Sequence, residues 1–489
     1  MLRRVALLAL SLWLLAASVQ ANGRMPGAND LVFNPGQPGR LVARATFGIV
    51  QSDDRGASWS WICEQAIDVS GVIADPPLGL TEDGSMVLLP PTGSALVSRD
   101  GGCSWLRVGA PLADKRGADL TVDPSDDRRL LVLTSTLSAV DGSGFGSYEN
   151  LVVETRDSTT SWQLLSTLPT DFEAETIEVA SSDAQRLYVS GSDTVDARLG
   201  VVFRSEDGGK SWTKSTLALP AGTGSLWISG IHPTDPDRVW LRVSARGDTL
   251  GLLPARLYLS TDKAQSFHML ASTSKGMFGF ALSPDGASLA YGGPSDGLFV
   301  GPADGTGAFA KRSSLGVRCL RWQKDGALYV CASEPADPFS IGVSSDQGAS
   351  FRALYSLVDT CPAACAAGSS FALSCQAAWL QTRPFIAASG AMCSVPWAAP
   401  LPMIQDAGSL EAGAPAPPVA RSDAGSAPEA TDAAGQAPDA EPSSQGCSCE
   451  LMGQTPANGR AMDLSVVLMA LLWWRRPREH GVRRTGDRA

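Results

Sequence analysis

A short motif recurs through most of this chain and constrains its fold more than any other feature. The motif has a Ser or Thr, an Asp two residues later, often a Gly, and an aromatic residue five positions after the Asp. Six copies are clear, and a seventh keeps the Asp and the aromatic residue in the one gap of double length. The seven aspartates are Asp54, Asp100, Asp157, Asp207, Asp262, Asp304 and Asp346. The first four copies end in Trp59, Trp105, Trp162 and Trp212.

The spacing of the motif predicts the architecture. Neighbouring motif aspartates are 42 to 57 residues apart, and a period of this size is typical of the blades of a β-propeller. Short apolar segments separated by Pro- or Asp-rich turns precede each copy, as at residues 130–133 and 151–155. Four strands per repeat, arranged radially, leave only short sheet edges exposed. The sequence therefore predicts an all-β, seven-bladed β-propeller over residues 22–358.

The motif is similar to the Asp-box, or bacterial neuraminidase repeat, of sialidases, sortilin-type receptors and photosystem assembly factors. The resemblance covers residues 30–358 and implies that each copy forms the hairpin between the third and fourth strands of a blade. It also implies that the Asp accepts hydrogen bonds from turn amides and that the aromatic residue packs beneath the hairpin. The motif residues are accordingly expected to be structural, with calcium binding by the aspartates as the minor alternative.

Motifs for catalysis are sparse. Sialidases place their leading Arg in a Phe/Tyr-Arg-Ile-Pro segment and have six blades, whereas residues 40–45 here read Arg-Leu-Val-Ala-Arg-Ala. With three histidines in the sequence, a Ser–His or Cys–His pair that activates a nucleophile is hard to assemble. A glycoside hydrolase needs two carboxyl groups facing each other across a cleft, and the abundant Asp and Glu residues keep that alternative open. No cofactor and no metal are expected.

Loop lengths indicate where a ligand would bind. The longest inserts follow the second strand of a repeat, at residues 138–150, 192–200, 244–255 and 333–339. Because blade strands alternate in direction, these loops share one face, and loops on a rigid scaffold commonly carry binding residues. The candidate ligand residues on this face are Asp141, Phe145, Tyr148, Asp193, Asp196, Arg246, Asp248, Glu334 and Phe339. Tolerated insertions of no function are equally compatible with the pattern.

The cysteines indicate an oxidising compartment, in which disulfides persist. Cys63 with Cys103 and Cys319 with Cys331 are the plausible pairs within the propeller. A small Cys-rich helical cap is predicted at residues 359–399, where two more bridges are expected. The four cysteines of the cap are Cys361, Cys365, Cys375 and Cys393. Spacing alone leaves the connectivity open.

The N-terminus has the layout of a secretory signal peptide over residues 1–21. Arg3 and Arg4 precede a short apolar run, and small residues stand at positions 19 and 21. An uncleaved membrane anchor is the alternative. The layout predicts that the protein is exported.

The C-terminal part resembles the myxobacterial C-terminal sorting signal. A Pro-, Ala- and Asp-rich stretch over residues 400–446 is predicted to be a disordered linker. The signal follows at residues 447–489, with Cys447 and Cys449, a short hydrophobic helix at residues 464–474 and an Arg-rich tail. The resemblance implies membrane-linked processing near the cysteines by a sorting protease, followed by display on the outer membrane surface. A simple C-terminal membrane anchor is the alternative.

Charge excludes one class of partner. The formal net charge is −11, although both termini are rich in Arg. An acidic surface repels phosphate backbones, so nucleic acid is not expected as a partner. The sequence therefore predicts a cell-surface propeller that binds an extracellular protein or glycan without catalysis. A surface glycoside hydrolase, sialidase-like or of another glycan-processing kind, is the alternative.

Overall fold

Seven sheets, each with four antiparallel strands consecutive in sequence, follow one another along the chain, as the motif count predicted; the first sheet gains a fifth strand, described below. The computed structural model describes residues 25–69, 75–91, 93–245, 248, 251–387 and 393. The signal peptide, the linker and the sorting signal, with Cys447 and Cys449, lie outside the described residues. The seven sheets confirm the all-β, seven-bladed propeller.

The first three blades occupy the chain up to Leu168. Blade 1 contains β1 (Ala28–Phe33), β2 (Leu41–Ala45), β3 (Gly48–Ser52) and β4 (Trp59–Cys63). Blade 2 contains β5 (Leu78–Leu80), β6 (Met86–Leu88), β7 (Leu96–Ser98) and β8 (Leu106–Arg107). Blade 3 contains β9 (Gly117–Val122), β10 (Leu130–Val140), β11 (Gly146–Thr155) and β12 (Gln163–Leu168).

Four further blades complete the ring. Blade 4 contains β13 (Phe172–Ala180), β14 (Asp183–Asp193), β15 (Leu199–Ser205) and β16 (Thr213–Ala218). Blade 5 contains β17 (Ser225–Ile231), β18 (Val239–Ser244), β19 (Arg256–Ser260) and β20 (His268–Ser272). Blade 6 contains β21 (Gly279–Leu282), β22 (Ser288–Gly293), β23 (Gly297–Pro302) and β24 (Ala310–Ser313). Blade 7 contains β25 (Cys319–Trp322), β26 (Leu328–Cys331), β27 (Ile341–Ser344) and β28 (Arg352–Tyr355).

The core lies between neighbouring blades. The second strand of a blade has both faces covered, so it is a continuous apolar run rather than an alternating one. Leu130, Leu131, Val132 and Leu133 in β10 are all completely buried. The first strand of each blade contacts the first strands of the two adjacent blades, and β1 meets β25 where the ring closes. Arg321 of blade 7 spans this seam, donating to Asp30 Oδ1 at 2.7 Å and to the Leu31 carbonyl at 3.0 Å.

Buried arginines at the starts of second strands join neighbouring blades, a feature that the sequence analysis did not predict. Arg129, 1% exposed, pairs with Asp123 (2.9 Å) and Glu154 (3.0 Å) within blade 3. Its guanidinium also donates to the carbonyls of Ala184 and Gly208 in blade 4, at 3.3 and 3.2 Å. An Arg so enclosed needs these acceptors, because an unpaired buried charge is strongly destabilising.

Two more arginines occupy the corresponding position in other blades. Arg40 donates to the Gly84 carbonyl of blade 2 at 3.3 Å. Arg186 of blade 4 pairs with Asp237 of blade 5 and, at 2.8 Å, with Glu206. The same type of side chain therefore ties blade 1 to 2, blade 3 to 4, and blade 4 to 5.

The chain after blade 7 returns to blade 1 and forms what we call the clasp, residues 360–393. Strand β29 (Thr360–Pro362) adds to the outer edge of blade 1, parallel to β4. Helix α1 (Ser370–Phe385) packs against β4, with the Trp379 and Trp61 rings 5.5 Å apart between centroids. The predicted helical cap is thus present, and it is built onto blade 1.

The disulfides correct the expected pairing in part. Cys319–Cys331 forms as predicted, between residues directly opposite each other in β25 and β26. Cys63 does not pair with Cys103. Because α1 and the segment before it lie against blades 1 and 2, Cys63 bonds to Cys375 and Cys103 bonds to Cys365. Only one bridge, Cys361–Cys393, lies within the clasp, where two were expected.

No helix among the described residues is both long enough and apolar enough to cross a membrane.

Candidate functional site

All seven motif aspartates lie in the hairpins between third and fourth strands. At Asp54, the Ser52 hydroxyl donates to Oδ1 at 2.8 Å and the Ser58 amide donates to the same oxygen at 2.8 Å. The Ser58 hydroxyl donates to Oδ2 at 2.6 Å. The same three bonds recur at Asp157, Asp207, Asp262 and Asp346.

The other two copies show how far the motif can vary. Asp100 keeps the bonds from the Ser98 hydroxyl (2.9 Å) and the Ser104 amide (2.8 Å). Asp304 follows a Pro at the usual Ser position, and it accepts instead from the amide and hydroxyl of Thr306, at 3.0 and 2.8 Å. The weaker seventh motif therefore closes a smaller turn around its Asp.

These bonds favour the ionised carboxylate. The hydroxyl and amide of Ser161 hold the pKa of Asp157 at about 2. Most of the acceptor capacity of each motif carboxylate is used inside its own hairpin. Within the part of the chain that the structure describes, no three His, Cys, Asp or Glu side chains are grouped to hold a metal ion.

The motif tryptophans contact the preceding blade. Trp59 Nε1 donates to the Leu354 carbonyl of blade 7 at 2.9 Å, and Trp212 Nε1 donates to Ser166 Oγ of blade 3 at 3.0 Å. Trp105 and Trp162 pack on the apolar clusters shared with blades 1 and 2, respectively. The Asp hairpins and their aromatic residues thus join neighbouring blades.

The opposite face carries the hairpins between second and third strands. Beyond Thr136 and Tyr148, β10 and β11 pair only with each other, and this two-stranded end of the hairpin extends about 14 Å. The Tyr148 amide donates to Thr170 O at 3.0 Å, and the Thr194 amide of blade 4 donates to Asp171 O at 3.1 Å. These bonds hold the hairpins against the connections between blades.

The acidic candidates on this face close the turns of their own loops. Asp141 Oδ1 accepts from the amides of Ser143 (2.8 Å) and Phe145 (2.9 Å). Asp193 Oδ1 accepts from the Val195 and Asp196 amides, at 2.9 and 3.0 Å.

Two further acids act in the same way. Asp196 Oδ1 accepts from the Arg198 amide at 3.0 Å and pairs with the guanidinium of the same residue at 2.9 Å. Asp248 accepts from the amides of Leu252 and Leu253, each at 2.9 Å. These carboxylates therefore stabilise the turns of their own loops, whereas the sequence analysis expected them to bind a ligand.

Three other candidates are placed differently from the expectation. Phe339 is only 4% exposed and packs in the core against Phe351, so it is not on the binding face. Glu334 Oε2 accepts from the Ser340 hydroxyl (2.6 Å) and the Leu357 amide (3.0 Å), and so it holds the chain leaving blade 7. Tyr148 is half-buried, Phe145 is exposed, and Arg246 lies outside the described residues.

Large apolar side chains are exposed on this face, and the sequence analysis missed all but one of them. We call them the apolar rim: Leu137 (52% exposed), Val140 (60%), Phe145 (41%), Val195 (62%), Leu252 (58%) and Leu253 (50%). They belong to the loops of three consecutive blades, 3, 4 and 5. Isolated apolar residues in Gly- and Asp-rich loops give no periodic signal, so only the structure shows that they are exposed on one face.

The central channel contains a second arrangement of interest. Asp119 in β9 and Glu178 in β13 project from adjacent first strands, and both are half-buried. Asp119 Oδ2 accepts from the Ile177 amide at 3.1 Å, and Glu178 Oε2 accepts from Thr121 Oγ1 at 3.1 Å. Each carboxyl therefore accepts a hydrogen bond from the neighbouring blade, and the two bonds join blades 3 and 4.

Burial and mutual repulsion change the acidity of this pair. Loss of hydration, together with the nearby Glu178 carboxylate, raises the pKa of Asp119 to about 8. Loss of hydration likewise raises the pKa of Glu178 to about 7. Burial opposes ionisation of Asp30 as well, but Arg321 and Arg44 hold its pKa below the ordinary value. A carboxyl pair that keeps a proton near neutral pH can serve as acid and base.

Comparison with known proteins adds resemblance in fold alone. No protein-family model and no curated protein matches the sequence. An ancestral GH74 enzyme is similar with 16% identity and a TM-score of 0.46. The match covers 66% of this chain and 47% of the enzyme, so the chain spans about half the enzyme's length.

Two other solved structures have similar values. Hydrazine synthase of Kuenenia stuttgartiensis has 13% identity and a TM-score of 0.47, over 67% of this chain and 98% of that one. An α-L-arabinanase of Penicillium chrysogenum, complexed with arabinobiose, has 15% identity and a TM-score of 0.37, over 53% and 87%. At these values the comparisons carry no conclusion on activity.

The channel pair predicts a pH dependence. Between about pH 4 and pH 8 the folded protein retains protons on Asp119 and Glu178 that the unfolded chain releases, so stability falls as the pH rises. The variant Asp119→Asn, Glu178→Gln keeps acceptor oxygens but has no proton to retain. Its Tm should equal that of wild type near about pH 4 and exceed it progressively up to about pH 8.

Calorimetry at several pH values measures this difference in Tm. Glu82→Gln, which removes an exposed carboxyl of blade 2, is the control. The difference in Tm between this variant and wild type should not change with pH. A double amide variant that is less stable than wild type at about pH 8 would show that the pair is ionised and stabilising.

Proposed function

We propose that this protein binds another protein through the apolar rim and that it does so without catalysis. The observation that carries the proposal is the exposure of six large apolar side chains on the hairpins of three consecutive blades. The blades bury their cores without these residues, so the fold does not require them. Large exposed apolar side chains that share one face of a domain favour an interaction site there.

Several features favour a protein ligand over a glycan. Five of the six rim residues are Leu or Val, which lack the flat ring against which a sugar stacks. Apolar side chains at the centre of a protein interface, surrounded by polar residues, supply most of its binding energy. Asp141 and Asp248 close the turns that present the rim and so reduce the entropy lost on binding.

Site-specific crosslinking tests this proposal on the displayed protein. A photoreactive residue at position 140 or 195 should form an adduct of one defined mass, and one at position 164 should not. Leu164 is the matched control, because it is 50% exposed but lies on the outer strand β12. With the captured partner purified, Val140→Asp should raise Kd at least about tenfold and Leu164→Asp should not.

Two results contradict the proposal. One is equal crosslinking at the rim and at position 164. The other is a glycan that binds on an array with an affinity that rim substitutions leave unchanged.

A second candidate function is glycoside hydrolysis by the channel pair, Asp119 and Glu178. The raised pKa values of two neighbouring carboxyls favour it, because such a pair can divide the roles of acid and base. Turnover of any glycan that Asp119→Asn abolishes, with Tm retained, would establish the hydrolase and end the binding-only proposal. The hydrogen bonds to Ile177 and Thr121 supply a structural role for the same pair.

We also propose that the propeller is of the Asp-box, sortilin-like kind and is displayed on the cell surface. The recurring hydrogen bonds of the Asp hairpins support the first part. The sequence after residue 446, with its Cys-Ser-Cys motif, short apolar run and Arg-rich tail, supports the second.

Surface display predicts the behaviour of a cysteine variant. Cys447→Ala with Cys449→Ala should leave the protein unprocessed or released into the medium, because the attachment point is lost. Gel mobility and surface labelling of intact cells measure this. Surface retention and mobility equal to wild type would refute processing at these cysteines and leave the simple membrane anchor.

A further inference from the structure

Helix α1 of the clasp has two apolar faces. Phe371, Cys375, Ala378 and Trp379 are buried against blade 1, and Cys375 is covalently bonded to Cys63. The spacing of these residues by three and four places them on one side of the helix. This inner face fully accounts for the attachment of the helix.

The outer face carries a stripe that the structure leaves uncovered. We call Leu373, Ala377, Leu380 and Pro384 the helix stripe; their spacing of four, three and four aligns them on the side opposite the inner face. Leu373 is 77% exposed and Leu380 is 57% exposed. Phe385, 52% exposed, adjoins one end. A soluble helix normally keeps such a face polar.

The chain itself supplies an apolar segment shortly after this helix in sequence. Residues 395–404 read Val-Pro-Trp-Ala-Ala-Pro-Leu-Pro-Met-Ile, without a charge, directly before the acidic Pro/Ala stretch. The segment starts two residues after Cys393, which is bonded to Cys361 in β29. Four residues of extended chain span at most about 14 Å, which is longer than the roughly 10 Å width of a helix.

We propose that residues 395–404 pack on the helix stripe and extend the clasp. Three prolines in ten residues favour an extended polyproline conformation, which loses little entropy on docking in an apolar groove. A second copy fits the stripe less well, because four residues on one helix supply far less than the roughly 800 Å² that a stable partner buries.

Hydrogen exchange on the full-length mature protein tests the proposal. Amides of residues 395–404 should exchange about tenfold more slowly in wild type than in Leu373→Asp, Leu380→Asp. Gln381→Asp puts the same charge on the same helix about a quarter turn from Leu373 and Leu380 and should keep most of the slow exchange. The reciprocal change Trp397→Asp should speed the exchange of amides in α1, while the amides of β4 stay protected.

The outcomes separate the possible occupants. Fast exchange of residues 395–404 in wild type overturns the proposal, whatever the helix variants do. Dimerisation in sedimentation that Leu373→Asp abolishes, with fast exchange of the segment, assigns the stripe to a second copy. Binding to vesicles of anionic phospholipid that the same change abolishes, again with fast exchange, assigns it to a membrane surface.

Discussion

The structure depends on how its ring is closed. The four antiparallel strands of every blade are consecutive in sequence, and β29, which follows blade 7, is added only to the outer edge of blade 1. Closure therefore depends on side chains at the seam between β1 and β25, among them Arg321 on Asp30, and on the clasp. The clasp links residues 312 and 262 positions apart through Cys63–Cys375 and Cys103–Cys365. Bridges that close long loops remove the most conformational freedom from the unfolded chain.

In the closed ring, the two faces have different structural roles. On one face, the Asp hairpins and their tryptophans join neighbouring blades, and their polar groups are used internally. On the other, the loops of blades 3, 4 and 5 are bonded to the connections between blades near their bases and expose Leu137, Val195 and Leu252. Aspartates hold both sets of turns, and the second set also exposes large apolar side chains.

The sequence predicted the seven blades because each repeat carries its own hairpin chemistry within eight residues. Cys319–Cys331 was predictable for the same reason, since 12 residues separate the two positions of one hairpin. Contacts over long separations were not predictable: Cys63 pairs with Cys375 because ring closure brings the far end of the chain to blade 1. The Arg129 ties, the Asp119–Glu178 pair and the apolar rim likewise require the positions of neighbouring blades. Phe339 was misplaced because loop length does not show which side chain turns inward.

The measurement that tests this account most directly is native-state hydrogen exchange after the two bridges from clasp to propeller are removed, with Cys63, Cys375, Cys103 and Cys365 all changed to Ala. If the clasp closes the ring, amides of β1 and β25 should exchange markedly faster than in wild type, while β13 and β17 on the far side keep their protection. Removal of Cys319–Cys331 is the control and should leave β1 protected. Unchanged exchange at the seam, or equal acceleration in all seven blades, would contradict the account.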